Sequence, residues 1–341
     1  MSRSQNIQIP GTPPIPNLRF RLFLGPEDYP KITEVLQRSL DADGIDRIVK
    51  EEDIINFYEH MPNFNPLEDV VLVDVNGNVI GYTLTNWVEN FDGTLLYRQR
   101  AYIVPEWRRR GIGTALLRYG ENRLALIAES HPIGKPKFYA SGTDNSETGK
   151  IALLEKAGYK PERIFIEMIR DLKETLPDAP LPEGLEIRPV KPEHYRPIWE
   201  AMNEAFRDHW GHREATEDDY DWWISGREFQ PKLWKVAWDG DQVAGTVLNF
   251  IDEDENQAYN RKRGFTEDIC VRRPWRRQGL ARALLVKSFE ELIHQGMLEA
   301  SLGVDTDNTS GALLLYRSVG FKIDRKYTVF WKPIDDVTNE S

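Results

Sequence analysis

The feature that most constrains this chain is an internal duplication. The stretch PEWRRRGIGTALL, which starts at Pro105, returns as RPWRRQGLARALL, which starts at Arg273. Three further landmarks repeat in the same order: a strand followed by a Pro-Glu helix start, a hairpin closed by Asn-Gly or Asp-Gly, and an apolar helix that ends in Gly-Tyr or Gly-Phe. Four landmarks at a nearly constant offset predict two similar domains.

The domain boundaries follow from the repeats and from local composition. We expect a flexible, Pro-rich lead over residues 1–17, a first domain over 18–170, a polar linker over 171–184 and a second domain over 185–334. Each repeat has the pattern strand, helix, hairpin, strand, helix, strand, helix, strand. This order predicts the α/β class, with a mixed, mostly antiparallel sheet flanked by helices in each domain.

Charge and composition narrow the class of partner and the compartment. The chain carries 55 acidic and 44 basic residues, a formal net charge of −11, which disfavours nucleic acid as its main partner. No apolar run approaches the roughly 20 residues that span a bilayer, so we expect no membrane anchoring. Cys270 is the only cysteine, which excludes an internal disulfide and favours a cytoplasmic protein.

The duplicated motif joins the end of a strand to the start of a helix. Glycines and free backbone N–H groups at such a junction, together with the helix dipole and neighbouring arginines, predict a cradle for phosphate. The alternative is a basic helix start with a tight turn and no ligand. Neither the dinucleotide-binding pattern nor the P-loop pattern is present at the motif.

Two sequence blocks resemble the GNAT acetyltransferase superfamily. Arg108-x-x-Gly111-x-Gly113 and Arg276-x-x-Gly279-x-Ala281 resemble its acetyl-CoA signature, Q/R-x-x-G-x-G/A. The stretch NTSGALLLYRSVGF, which starts at Asn308, resembles its second conserved block. The tandem layout is similar to that of the mycothiol synthase group. The resemblance implies two GNAT-like domains and an acetyl-CoA-dependent N-acetyltransferase that acts on a small-molecule amine and uses no metal.

The same resemblance implies which residues hold acetyl-CoA, the co-substrate. In the second repeat they are Ile269, Cys270, Val271, Arg276, Arg277, Gln278, Gly279, Leu280, Ala281, Arg282 and Asn308. In the first repeat the matching positions are Ile103, Val104, Arg108, Arg109, Arg110, Gly111, Ile112, Gly113 and Thr114. The backbone near Cys270 and Val271 would bind the thioester oxygen, and the Cys270 side chain is expected to be a packed residue. Whether the first repeat also binds acetyl-CoA stays open.

The catalytic acid implied by the resemblance is a tyrosine four residues before the glycine of the second block. Tyr316 fills that position in the second repeat and Leu154 fills it in the first. A tyrosine, with an ordinary pKa of about 10, can protonate a departing thiolate at neutral pH. The difference predicts that the second domain performs the chemistry. The alternative for Tyr316 is a half-buried helical aromatic.

The predicted base is a carboxylate on the strand before the cradle. Glu267 is the main candidate, with Asp268 or water as alternatives. By strand alternation Glu267 shares a face with Ile269 and Val271, and a β-bulge would move it to the other face. For the acceptor, we expect Asp208 and Trp210, in an acidic and aromatic stretch after the first helix of the second repeat, to contribute to binding.

Two other functions compete with this prediction. One is a non-catalytic regulator that senses acetyl-CoA through both cradles. The other is an aminoacyl-tRNA-dependent transferase of the same broad fold, which the negative charge and the intact phosphate signatures disfavour. Tyr316 favours the acetyltransferase over the regulator.

Overall fold

A computed structural model describes residues 6–90, 92–207, 214–307 and 311–334. By its internal contacts, this part of the chain forms two compact units, the first from 6–163 and 328–334 and the second from 164–327. The strand that ends the first repeat therefore belongs mostly to the second unit. The strand that ends the second repeat belongs, from Thr328 onward, to the first unit. The compact units and the sequence repeats thus have different borders.

The first unit is a mixed sheet with helices. Its strands are β1 (Asn6–Ile7), β2 (Leu18–Leu22), β3 (Val70–Val75), β4 (Asn78–Glu89), β5 (Leu95–Ile103) and β6 (Lys137–Asp144). Its helices are α1 (Tyr29–Ala42), α2 (Glu51–His60), α3 (Pro66–Asp69), α4 (Ile112–Glu129) and α5 (Thr148–Lys156). The strands follow one another in numerical order across the sheet; β5 and β6 run parallel, and the pairs before them run antiparallel.

The second unit repeats this plan. Its strands are β7 (Lys160–Asp171, in this unit from Ile164), β8 (Glu186–Ile187), β9 (Lys235–Asp239), β10 (Gln242–Ile251), β11 (Arg263–Val271), β12 (Glu299–Asp305) and the first half of β13 (Lys322–Pro333). Its helices are α6 (Tyr195–Phe206), α7 (Glu217–Ser225), α8 (Glu253–Ala258), α9 (Leu280–His294) and α10 (Ala312–Ser318). The order is β7-β12-β11-β10-β9-β8, and β11 and β12 are its parallel pair.

The α/β class and the mixed, mostly antiparallel sheets agree with the sequence prediction. Each hairpin closes where its turn signal predicts. In the first unit Val75 pairs with Asn78 across Asn76 and Gly77, which have φ angles of 55° and 87°. Both central residues of a tight hairpin turn of this kind need positive φ, which Asn and Gly adopt at low cost.

The leading segment differs from the flexible lead that the sequence predicts. β1 pairs with β2, and Ile9 is buried in the apolar cluster that also contains Ile112 of α4. Ile7 and Ile15 pack against the same cluster. Residues 6–17 are therefore held on the first unit, because Ile7 and Ile9 before the prolines and Ile15 among them reach its core.

Each unit has its own apolar core between the sheet and the helix that follows the duplicated motif. Ile112 and Leu116 of α4 are fully buried in the first unit, and Leu284 and Phe289 of α9 are fully buried in the second. These cores hold the start of each helix against the end of the preceding strand, which fixes the geometry of the motif between them. Among the described residues, no helix combines the length and apolar character needed to cross a bilayer.

Candidate active site

The two copies of the duplicated motif have the same backbone shape. Arg109 and Gly111 have φ angles of 61° and 87°, and their counterparts Arg277 and Gly279 have 62° and 86°. Left-handed residues placed this way turn successive N–H groups toward one point and form a concave anion site, called a nest. α4 and α9 begin directly after Gly111 and Gly279 and add the positive end of a helix dipole.

The first arginine of each motif bonds to protein atoms. The Arg108 guanidinium donates from Nε to the Ile103 carbonyl at 2.9 Å and from Nη1 to Asp43 Oδ1 at 2.6 Å. The Arg276 guanidinium donates from Nε to the Val271 carbonyl at 2.9 Å. These bonds tie each loop to the end of its own strand. Each arginine also bonds to the end of the first helix of its unit, since Asp43 follows α1 and Arg276 Nη2 donates to the Ala205 carbonyl of α6 at 3.2 Å. Both arginines thereby hold the loop that forms the nest in place.

The other predicted cradle residues surround the two nests. They end the preceding strand, form the loop or begin the helix: Ile103, Val104, Arg110, Ile112, Gly113 and Thr114 in the first unit, and Val271, Gln278, Leu280, Ala281 and Arg282 in the second. Ile112 and Leu280 have fully buried side chains, so only their backbone groups can reach a ligand. Arg110 lies over the Trp107 ring, 4.8 Å from its centroid. Arg109 and Arg110 are exposed in the first loop, and Arg276 and Arg277 are exposed in the second.

β11 contains a β-bulge, and the bulge decides which way the predicted base points. Thr246 of β10 pairs with Cys270, but Leu248 pairs with Glu267, so β11 has one more residue than β10 in this interval. Asp268 takes up the extra length with a φ of 47°. Glu267 and Cys270 consequently lie on one face. The bulge thus places Glu267 on the opposite face of the sheet from Ile269.

Beyond the bulge the two central strands of the second unit separate. The parallel pairing of β11 with β12 covers three residues and ends at Phe265 and Ser301. Past that point the Glu267 side chain lies in the gap, where its Oε1 accepts a hydrogen bond from the Gly303 N–H at 3.3 Å. The gap opens beside the strand end that leads to the nest.

Electrostatics keep the two neighbouring carboxyl groups in different protonation states. Burial, and then the negative charge of Asp268, raise the pKa of Glu267 to about 8. Burial, and then the charge of Glu228, raise the pKa of Asp268 to about 6. At pH 7 Asp268 is mostly ionised, whereas Glu267 is mostly protonated. Carboxyl groups whose pKa values are pushed apart in this way are common where acid and base chemistry is performed.

Tyr316 is 6% exposed on α10 and lies in the electrostatic field of the bulged strand. Burial raises its pKa above the usual value, and the nearby Glu267 and Cys270 raise it further. The phenol therefore keeps its proton throughout the physiological pH range. In the first unit the matching side chain, Leu154, is 2% exposed and has no proton to give.

The Cys270 side chain is packed, as the sequence predicts. It is 7% exposed, and its Sγ lies 3.2 Å from the Thr246 hydroxyl. Burial raises the pKa of the thiol to about 12. A thiol that stays protonated is a poor nucleophile, so the role left to Cys270 is that of its backbone.

Glu167 of β7 belongs to the same sheet face and was missed by the sequence reasoning. Register places it opposite Gly303, which is exposed and separates it from Glu267. Its Oε1 accepts hydrogen bonds from the Ser301 hydroxyl at 2.8 Å and from Arg263 Nη1 at 3.3 Å. Within the part of the chain that the structure describes, a Cβ atom added to Gly303 would meet only Glu267 Oε1, at 4.0 Å. The row from Glu267 to Glu167 therefore has an open centre. Glu167 lies in the first sequence repeat, and no local signal links it to this unit.

Three predicted site residues, Asp208, Trp210 and Asn308, lie outside the described residues. Among the described residues, no group of three or more His, Cys, Asp or Glu side chains is arranged to hold a metal ion.

Comparison with known proteins places both units in one family. The family model described as "Acetyltransferase (GNAT) family" matches residues 195–321, and the model described as "Acetyltransferase (GNAT) domain" matches residues 66–161. A mycothiol acetyltransferase of Geodermatophilus obscurus is 27% identical over 301 residues, which cover 87% of this chain and 92% of that protein.

Solved structures agree with this assignment. A GCN5-related N-acetyltransferase from Sphaerobacter thermophilus is 26% identical, with a TM-score of 0.68 over 94% of this chain and 96% of that one. A tandem GNAT protein from the clavulanic acid biosynthesis pathway is 16% identical, with a TM-score of 0.64 over 94% of this chain and 100% of that one. The second of these likenesses concerns the fold alone.

Proposed function

The chain belongs to the GNAT acetyltransferase family and is an acetyl-CoA-dependent N-acetyltransferase, and from that premise we propose that its second unit transfers the acetyl group to a small-molecule amine. One observation carries the proposal: the buried Tyr316 phenol lies in the electrostatic field of Glu267, and in the same unit no described residue lies within 4 Å of a Cβ on Gly279 of the nest. The equivalent positions in the first unit hold Arg100 and Leu154.

The second nest suits the diphosphate of the co-substrate. A Cβ atom added to Gly279 would have nothing within 4 Å among the described residues, so these residues leave the space beside this glycine open. The backbone N–H groups from Arg277 to Arg282 would hold the diphosphate, and Arg277 would supply a positive charge. When bound there, acetyl-CoA supplies the thioester that reacts with the amine.

In the proposed reaction Glu267 removes the proton that the attacking amine must lose. Its carboxylate accepts that proton as the new C–N bond forms at the thioester carbonyl. Because its pKa is about 8, about a tenth of Glu267 is ionised at pH 7 and the ionised share grows with pH. The rate should therefore rise with pH toward about 8.

Tyr316 completes the proton balance. As the C–S bond breaks, the departing CoA sulfur takes the phenolic proton, and the tyrosinate regains a proton from solvent. The unpaired edge of β11 past Phe265 leaves backbone groups free to donate to the thioester oxygen. The buried phenol is matched to this step because it does not ionise at neutral pH.

The acceptor is proposed to lie along the row from Glu267 across Gly303 to Glu167. The open centre at Gly303 gives room for a small molecule, and the carboxylates favour a cationic or hydroxyl-bearing amine. The relatives named mycothiol acetyltransferase support a small-molecule amine related to mycothiol. Family membership favours this enzyme over the non-catalytic regulator.

A rate assay with a matched pair of variants tests the proposal. Purified full chain is given acetyl-CoA and a panel of primary amines, and release of free CoA thiol is measured. With the best amine, Glu267→Gln should lower kcat by about 10² or more, the usual worth of a positioned base. Arg100→Gln, at the same strand position in the first unit, should leave the rate unchanged. A reversed result would move the chemistry to the first unit.

A further inference from the structure

We propose that residues 6–17, here called the leading segment, cap the nest of the first unit, so that the intact chain binds a single CoA. The claim that this one molecule lies in the second unit rests on the proposed function. The claim that the first nest is closed stands on separate contacts.

The leading segment is anchored on both sides of the first nest. β1 pairs with β2 before it, and Leu18 begins β2 after it. Between them the buried Ile9 and the partly buried Ile15 pack into the core cluster that contains Ile112, the first residue of α4. The segment therefore passes the nest while held by apolar side chains at each end.

A turn in the leading segment brings Pro13 onto the nest. The Thr12 hydroxyl donates to the Ile9 carbonyl at 2.6 Å, and the Ile15 N–H donates to the Pro13 carbonyl at 2.8 Å. A Cβ atom built on Gly111 would lie 3.4 Å from Pro13 Cβ and 3.7 Å from Pro13 Cγ. The proline ring therefore lies directly beside the glycine that closes the nest, at van der Waals distance from where a side chain there would begin.

A second contact fastens the same stretch to α4. A Cβ atom on Gly11 would lie 3.0 Å from Nη1 of Arg118, so the arginine lies directly against the segment. Gly11 has a φ of 76°, which allows the chain to turn under that side chain. The corresponding position on α9 is Val286, which is buried in the core cluster of the second unit and offers no charged side chain for such a contact.

The second unit provides the internal comparison. A Pro-rich stretch also precedes β8, the counterpart of β2, and Leu176, Ala179 and Leu181 pack against the second core. Among the described residues, however, nothing approaches within 4 Å of a Cβ on Gly279. Two nests with the same φ angles therefore differ in what lies in front of them.

The leading segment and the diphosphate of CoA would compete for the first nest. A phosphate oxygen must come within about 3 Å of the nest N–H groups to form hydrogen bonds. With Pro13 against Gly111, a diphosphate has to displace the leading segment first, and its apparent affinity falls by the fraction of time the segment is in place. We expect this to weaken CoA binding at the first nest by more than tenfold.

Counting bound CoA by titration calorimetry tests the cap. Full chain should bind one CoA, whereas Pro13→Gly and a chain without residues 1–16 should each bind two, the added site being tighter in the shortened chain. The matched control is Pro180→Gly with Pro182→Gly in the stretch before β8, which should still bind one. Pro13→Gly keeps both anchors, so it decides the question if the shortened chain does not fold.

Two results would overturn the cap. Full chain that binds two CoA would mean that the leading segment does not exclude the ligand. One CoA in both opened variants would mean that the first nest does not accept CoA even when uncovered. Since variants of Glu267 and Tyr316 leave the count of CoA unaffected, failure of the proposed chemistry and failure of the cap give different results.

Discussion

β5 and β11 hold the same place in their units and differ by one residue. In β5 the pairing with β4 runs without interruption over Leu95–Ile103, whereas in β11 the register shifts at Asp268. Arg100 occupies the ladder position that Glu267 occupies in the second unit. There it lies over the Phe57 ring, 5.1 Å from its centroid. One inserted residue thus accompanies the change from a strand end that carries a cation to one that carries two carboxyl groups.

The comparison separates the elements that both units share from the chemical groups that occur in the second unit. Both units keep the parallel strand pair, the nest and the helix after it, because these elements form the core of each unit. The bulge, the tyrosine and the free space in front of the nest occur together in the second unit. Fold and nest therefore persist in this chain independently of the groups needed for chemistry.

The largest effect we predict follows removal of the Tyr316 hydroxyl. Tyr316→Phe removes one hydroxyl and keeps the packed ring, so CoA affinity should stay within a few-fold. The rate constant kcat should fall by about 10²–10⁴, since a positioned acid contributes that much. Lower kcat at nearly constant KM marks an interaction made in the transition state. Steady-state thiol release at saturating acetyl-CoA measures both constants.

The matched control removes a phenol from the first unit. Tyr102 lies on β5 near the end of the strand, and Tyr102→Phe should leave kcat unchanged. The converse change, Leu154→Tyr, should restore little activity to the first unit, because Arg100 still occupies the position of the base. Wild-type rates in Tyr316→Phe would remove the main reason for assigning the chemistry to the second unit.

The next test compares the two nests with one substitution at equivalent sites. Arg277→Glu and Arg109→Glu start from the same exposed residue at nearly the same φ, so the backbone cost is alike. At the second nest a negative charge would repel the diphosphate, and reversal of one charge near a bound anion should weaken CoA binding by about 10²-fold. At the first nest the same change should leave the transfer rate unchanged. Equal losses in both variants would contradict the assignment.

The sequence predicts the local parts of this site and not the parts that depend on pairing. The nests follow from glycines and arginines at fixed spacing, and the missing phenol of the first unit follows from Leu154. The bulge at Asp268 depends on how β11 pairs with β10, so alternation alone left the face of Glu267 undecided. Glu167 reaches the second unit because its strand pairs there, a tertiary choice that its neighbours in sequence do not encode.

The segment that contains Pro13 is a second case in which the sequence alone did not predict the structure. A stretch with five prolines or glycines in seven residues predicts flexibility, because such residues form no regular ladder. Ile9, just before this stretch, and Ile15, within it, reach an apolar core that only the folded first unit supplies. Order in this segment is therefore a property of packing.

The smallest effect we predict concerns the charge at the bulge, which has no counterpart in β5. Asp268→Asn keeps a residue that tolerates positive φ and removes a negative charge beside Glu267. The charged groups that raise the pKa of Glu267 are Asp268, Glu228 and Glu167, and burial raises it most. Without the first of them Glu267 should ionise at lower pH.

The measurement is the pH dependence of kcat/KM. The rate should rise as Glu267 loses its proton, so the acid limb lies near pH 8 in the unmodified chain. In Asp268→Asn this limb should move to lower pH by less than about one unit, since a neighbouring like charge is a smaller cause than burial. Glu228 raises the pKa of Glu267 less than Asp268 does, so Glu228→Gln should move the acid limb by a smaller amount. A limb that stays in place, or moves to higher pH, would mean that a group other than Glu267 takes the proton.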